Sequence, residues 1–381
     1  MEDHIINLPL EDFSDENNSQ LFSCLWHCGL CDACQNQGQC QDLGYTSTGT
    51  QRLGRYTEYY RQATTFYEPY VELGVTPTLN NHRDLFTLIR RLKSKTHLPR
   101  NQLMNELFNH DCNASDSLAQ DRDEVLKLAI RIMIMVEDGV LASRWSGHLA
   151  FTQYMAKLFP QTDHSAVNCD ANRSSMGLET AIKAPKLQKR VGLKFRPADN
   201  LRDHLRLDHT SRTIDIFHHT AFLKEHLRAS YHQRQHEMEA WSNGIIPRQL
   251  ALEVIDSIQK ILFPLTDPKC RKMLQQLVST SNFDPDCLRF ESASIRSPEE
   301  QDITYTYLGT RLADLYEETQ NPKPYSLLDK WLERKSGARY TTLVALIGIA
   351  IAILLGLLTL VVSIYQAYIS YQAWQHPVSN R

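Results

Sequence analysis

Cys24, Cys28, Cys31, Cys34 and Cys40 crowd into CLWHCGLCDACQNQGQC, five of the chain's nine cysteines, together with His27. Thiolates this close can surround Zn²⁺, which takes four S or N ligands in a tetrahedron, and Cys28, Cys31, Cys34 and Cys40 are the candidate ligands. Cys31 and Cys34 have the two-residue spacing of a zinc pair, but no second well-spaced pair follows. The cluster equally suits acylation beside a membrane, a disulfide framework on an extracytosolic side, or no defined chemistry. An odd total of nine is consistent with free thiols.

Histidine marks a second stretch: His204, His209, His218, His219, His226, His232 and His236 fall within 33 residues. His232 and His236 would share a helix face as metal ligands can, yet the sequence reads HQRQH and lacks the glutamate of the HExxH zinc-protease pattern. Solvated or capping histidines are the expected reading. The same stretch is basic, with 12 Lys or Arg against 5 Asp or Glu between Ala181 and Gln235, a charge suited to anionic lipid or an acidic partner. Aromatic residues are sparse there and no RNA-binding signature occurs, so nucleic acid is not an expected partner. Nor is there a GxGxxG, GxxxxGK[ST] or GxSxG motif, or an HRD paired with DFG.

The elements that would position these residues are mostly helices. Residues 1–50 are polar and rich in Cys, Gln and Asn, and read as weakly ordered. Residues 51–160 form a helical region: HRDLFTLIRRLK, LPRNQLMNELF and SLAQDRDEVLKLAIRIMIMVE repeat apolar residues every three or four. Residues 161–200 lose that period and read as a linker or long loop. Residues 201–325 read as a helical domain that allows one small β-hairpin, LRLD and TIDIF joined by HTSR. Within it, Leu250, Val254, Ile258, Ile261 and Leu262 form one helical stripe. Thr266 or Asp267 can cap a helix opening at Pro268, and Ser297, Pro298 and Glu300 form a capping box for a helix expected to run to about Thr319. SLLDKWLERK, in residues 326–339, is a short amphipathic juxtamembrane helix.

Residues 340–366 then differ from everything before them. From Thr342 to Ile364 no residue is charged, and 15 of 23 are Leu, Ile or Val. A helix of that length covers about 34 Å, against a hydrocarbon core of about 30 Å, and its insertion is favourable by roughly 5 kcal/mol. Gly348, Ala352 and Gly356 recur every fourth residue and line one face, a spacing that lets two such helices pair. Lys330, Arg334, Lys335 and Arg339 lie before the span, whereas only Arg381 carries permanent positive charge after it. By the positive-inside rule the N-terminal bulk is cytosolic and residues 367–381 form a short lumenal tail. The acidic start MEDHIINLPLEDFSDENN lacks the basic n-region of a signal peptide, so a tail-anchored arrangement is expected. The long span and nearly uncharged tail favour the endoplasmic reticulum or another secretory membrane.

The stretches LKFRPADNLRDHLRLD, IDIFHHTAFLKEHLR, PRQLALEVIDSIQKILFPLTDPK, FDPDCLRFESASIR, LGTRLADLYEE and WLERKSGARY resemble a family of uncharacterised, C-terminally anchored proteins of filamentous fungi. The resemblance covers residues 186–376 and implies the anchor but no site residues; the cysteine-rich start lies outside it. The expectation is therefore a mostly α-helical, single-pass membrane protein serving as an interaction or scaffold module at a lipid surface. The alternative is a membrane-associated accessory enzyme of a fungal biosynthetic pathway. Three Asn-x-Ser sequons, at Asn17, Asn113 and Asn172, would report topology if glycosylated.

Overall fold

Helix boundaries follow the side chains that occupy them. The structure is a computed structural model describing residues 10, 12–13, 17–26, 52–69, 76–108, 116–137, 145–162, 180–231, 241, 243–291, 295–320 and 339–375. The described helices are α1 (Asn18–Trp26), α2 (Gly54–Thr65), α3 (His82–Ser94), α4 (Arg100–Phe108), α5 (Asp116–Ile134), α6 (Phe151–Leu158), α7 (Ala184–Lys186), α8 (Thr220–Ala229), α9 (Arg248–Asp256), α10 (Pro268–Thr280), α11 (Gly309–Gln320) and α12 (Arg339–Gln375). Asn81 caps α3 by accepting the Asp84 N–H, and Asp267 caps α10 by accepting that of Lys269, so each supplies a partner for an otherwise orphaned helical donor.

Residues up to Gln320 form one unit, and Asn321–Arg381 form another. In the first, the two helical regions read from the sequence share a core rather than each having its own. Trp26 on α1 meets Phe222 on α8 edge-on at 5.6 Å, and Tyr56 on α2 stacks on the same ring at 4.6 Å. Buried aromatic pairs of this kind contribute about 0.5–1.5 kcal/mol each beyond their buried area. Tyr56 also donates to the Ile132 carbonyl at 2.6 Å, which ties α2 to α5.

The expected hairpin is present and larger than read. Strand β2 (Arg206–Asp208) pairs antiparallel with β3 (Thr213–Phe217), and β1 (Lys194–Ala198) adds to the other edge of β3 in parallel. One cross-strand row fixes the register. Asp215, buried on the central strand, lies opposite Arg196 and Arg206, whose Nε atoms donate to it at 2.7 and 3.2 Å. Part of the span expected to be a linker is therefore ordered, since α7, the π-turn Leu187–Val191 and β1 occupy residues 184–198.

The helix expected after the Ser297 capping box is a second correction. The box forms, but it opens only the 3₁₀ turn Pro298–Glu300, and α11 begins at Gly309. Glu253 is the reason: its carboxylate accepts the backbone N–H groups of Thr306, Tyr307 and Leu308 at 2.7–2.9 Å, which withdraws those donors from any helix.

In the second unit, α12 is a single 37-residue helix, and Ala345–Gln372 within it is long and apolar enough to cross a membrane, with none of that stretch buried. It runs nine residues beyond the expected end at 366. Gln372 and Gln375 each donate to a tyrosine one turn back, Tyr368 at 3.0 Å and Tyr371 at 2.7 Å, and so sustain the helix past the apolar run. The hydroxyl of Thr359 donates to the Leu355 carbonyl at 2.6 Å, so that donor is satisfied within the helix. The juxtamembrane segment 326–338 lies outside the described residues.

Candidate functional site

The zinc candidates Cys28, Cys31, Cys34 and Cys40, with His27, lie outside the described residues, as do His232 and His236. Cys24 is described and is a core residue: its thiol donates to the Phe86 carbonyl at 3.5 Å, and burial pushes its pKa up. Burial also raises Cys270, to about 11, and Cys287, so these three thiols are held protonated and poor in the thiolate that attacks or ligates. Gly348, Ala352 and Gly356 sit exposed along α12, and a Cβ added at either glycine would meet nothing within 4 Å.

Three of the histidines act as acceptors for backbone donors. His204 Nδ1 accepts the Phe217 N–H at 3.1 Å, His218 Nδ1 that of Asp284 at 3.0 Å, and His226 Nδ1 that of Ile246 at 3.2 Å. Each ring satisfies an amide at the end of a strand or loop that has no ladder partner, and so fastens the β3–α8 segment to its surroundings. His204 is completely buried, and burial lowers its pKa to about 3, so it enters the core neutral. The unfolded chain binds a proton here below pH 6.5 that the folded chain refuses, so stability is full above pH 6.5 and falls as pH drops. Replacing His204 by Asn, which keeps an acceptor for Phe217, is expected to remove about 2 kcal/mol from the loss of stability between pH 7 and pH 5. Urea unfolding of the detergent-solubilised chain at both pH values measures it, and an equal loss in wild type and variant would show His204 titrating freely.

Asp199, His218 and His219 bring one donor atom each within 4.8 Å of one another, as a two-histidine, one-carboxylate metal site would. The hydrogen bonds assign them differently. Because His218 Nδ1 accepts from Asp284, its neutral ring carries the proton on Nε2, the atom facing Asp199 at 3.4 Å. A metal ligand needs a lone pair there and normally donates from the other nitrogen. His219 Nε2 meets the same Asp199 oxygen at 2.8 Å. Burial pushes the Asp199 carboxyl up, but the two imidazoles outweigh it and hold the group well below the usual carboxylate range. Burial lowers His219 to about 4 although Asp199 pulls it up. The cluster is a stable anion on two imidazole N–H groups, too weak a base for proton abstraction near neutrality.

Asp199 opens into a cleft of about 330 Å³ that also exposes Arg131, Arg196, Arg206 and the ring of Phe66. A larger cleft of about 750 Å³ lies between the start of α2 and the turn after Phe283, lined by Arg52, Gly54, Arg55, Glu58, Asp284, Asp286 and Arg289 among others. Its floor is fastened by Lys224 on α8, whose buried ammonium donates to Asp286 at 2.6 Å and to the Arg289 carbonyl at 2.7 Å. Thr220 adds a hydrogen bond to Asp286 at 3.0 Å, and Gln259 reaches the Cys287 and Arg289 carbonyls at 2.9 and 3.0 Å. Sequence reasoning missed Asp199, Lys224 and the three cleft arginines; the Asp-Pro-Asp run at 284–286 was the available signal, a capped turn that aims two carboxyls inward.

With that geometry defined, comparison with known proteins returns no matching family model, curated protein or solved structure.

Proposed function

We propose that the chain is a membrane-tethered interaction module: α12 spans the bilayer, residues 1–320 sit on the cytosolic side, and confinement to that surface raises their local concentration toward partners there. The observation that carries this reading is the 28-residue apolar stretch of α12, none of which is buried. Such a surface in water would aggregate, whereas lipid satisfies it without any further protein contact. The excess of Lys and Arg before the span supports the cytosolic assignment, and a secretory membrane such as the endoplasmic reticulum is the proposed site.

Crosslinking and purification of the full-length chain from native membranes tests the module reading. Stoichiometric protein partners that survive without added substrate are expected; a chain recovered alone, converting a small molecule, would favour the accessory-enzyme alternative. Asn17 cannot report topology, because its side chain is buried in the fold, so glycan mapping rests on Asn113 and Asn172.

Pairing through Gly348, Ala352 and Gly356 belongs to the same proposal. Gly348→Leu combined with Gly356→Leu is expected to reduce self-association about tenfold in a membrane reporter assay, and an unchanged signal would remove pairing through this face.

A further inference from the structure

We propose that the cleft between the start of α2 and the Asp284–Arg289 turn binds a phosphate-bearing ligand, a phosphomonoester dianion gripped by Arg52, Arg55 and Arg289. Three guanidinium groups reach this one cleft from two segments more than 200 positions apart in the chain. Neither Arg55 nor Arg289 has a carboxylate partner among the described residues, whereas Arg52 is ion-paired with Glu291 at 3.6 Å. The nearby acids among the described residues leave Arg55 and Arg289 without an ion pair. Asp286 is committed to the buried Lys224 ammonium, while Glu291 is shared between Arg228 at 2.7 Å and Arg52, and Arg228 also pairs with Glu225. Burial pushes Asp284 up to about 7, against the N–H groups it accepts from Asp286 and Ala221, so near neutrality it is only partly charged. Glu58 is the exposed carboxylate that remains, and it accepts from Gln62 at 3.3 Å. Arg55 and Arg289 leave the cleft cationic, which favours an anionic ligand.

The site is also built rather than incidental. Lys224 and Gln259 both hold the Arg289 carbonyl, so this arginine projects from a fixed backbone. Fixing the backbone in advance lowers the ordering cost of binding. A volume of about 750 Å³ exceeds what inorganic phosphate fills and leaves room for an organic group on the ester. Guanidinium forks bond phosphate oxygens two at a time, which favours this chemistry over a lone monocarboxylate. A Cβ built on Gly54, which lines the cleft, meets nothing within 4 Å, so a side chain can start there without a clash at Cβ.

Two sources carry this chemistry, a soluble phosphomonoester and a phosphatidic acid headgroup. Titrating the full-length chain in phosphatidylcholine nanodiscs with glycerol 3-phosphate and, separately, with dihexanoyl phosphatidic acid distinguishes them. Saturable binding is expected, weakened about tenfold or more by Arg55→Gln and by Arg289→Gln. Gly54→Leu should block binding with every charge retained, and Arg190→Gln, an exposed change outside the cleft, should leave it intact. Tighter binding of the lipid assigns the headgroup, and equal binding assigns the soluble ester. Absence of saturable binding to both probes, or binding that survives the Arg55→Gln/Arg289→Gln double variant, overturns the proposal.

Discussion

Lys224→Met is expected to cost the first unit about 3–5 kcal/mol of folding stability, because it strands a buried carboxylate. Lys224 is 1% exposed and Asp286 is 7% exposed, so neither can turn to water when the other is removed. The ammonium also donates to the Arg289 carbonyl, so its loss removes one donor from each acceptor and leaves Gln259 and Thr220 as the partners that remain. Replacing both charges, as in Lys224→Met with Asp286→Leu, is expected to be less damaging than Lys224→Met alone, since two apolar groups of similar size need no partner. Urea unfolding of the single and double variants in detergent tests this. A single-variant loss below about 1 kcal/mol would mean that the pair is solvated and does not brace the cleft.

The second large effect concerns α12. Ile351→Arg with Leu355→Arg places two guanidinium groups near the middle of the span, at about 2.5–3.5 kcal/mol each on the insertion scale. Their sum, about 6 kcal/mol with the lost apolar contributions, exceeds the roughly 5 kcal/mol that favours insertion. The variant should shift from the floating membrane fraction to the soluble or aggregated fraction in a density gradient, while Ile351→Leu with Leu355→Ile floats like wild type. Equal flotation of the double-arginine variant would mean that something other than the apolar stretch holds the chain to membranes.

Local periodicity carried most of the helices. Leu250, Val254 and Ile258 are buried as their spacing implies, and Tyr56, Tyr59 and Tyr60 enter the core as aromatics at helical intervals do. Phe66, from the same aromatic run, is 81% exposed, since α2 ends at Thr65 and the chain leaves the helical phase that would have buried it. The hairpin was legible because its two strands adjoin. The parallel partner β1 was not, because a parallel pairing has no turn to announce it and only Phe195 of β1 is buried. Distance in the chain hid the site residues for the same reason. Lys224 and Asp286 are 62 positions apart, and nothing near either one implies the other. The histidine-rich stretch was conspicuous in composition, but its use as a set of backbone acceptors depends on which amides the fold leaves without partners.

The central claim is that α12 crosses a bilayer and keeps residues 1–320 on the cytosolic face. Protease added to sealed microsomes carrying the full-length chain tests it most directly. The account predicts that epitopes in residues 1–320 are digested while a fragment containing α12 stays in the membrane and resists alkaline carbonate. Protection of residues 1–320 from protease, or release of the intact chain by carbonate, would contradict it.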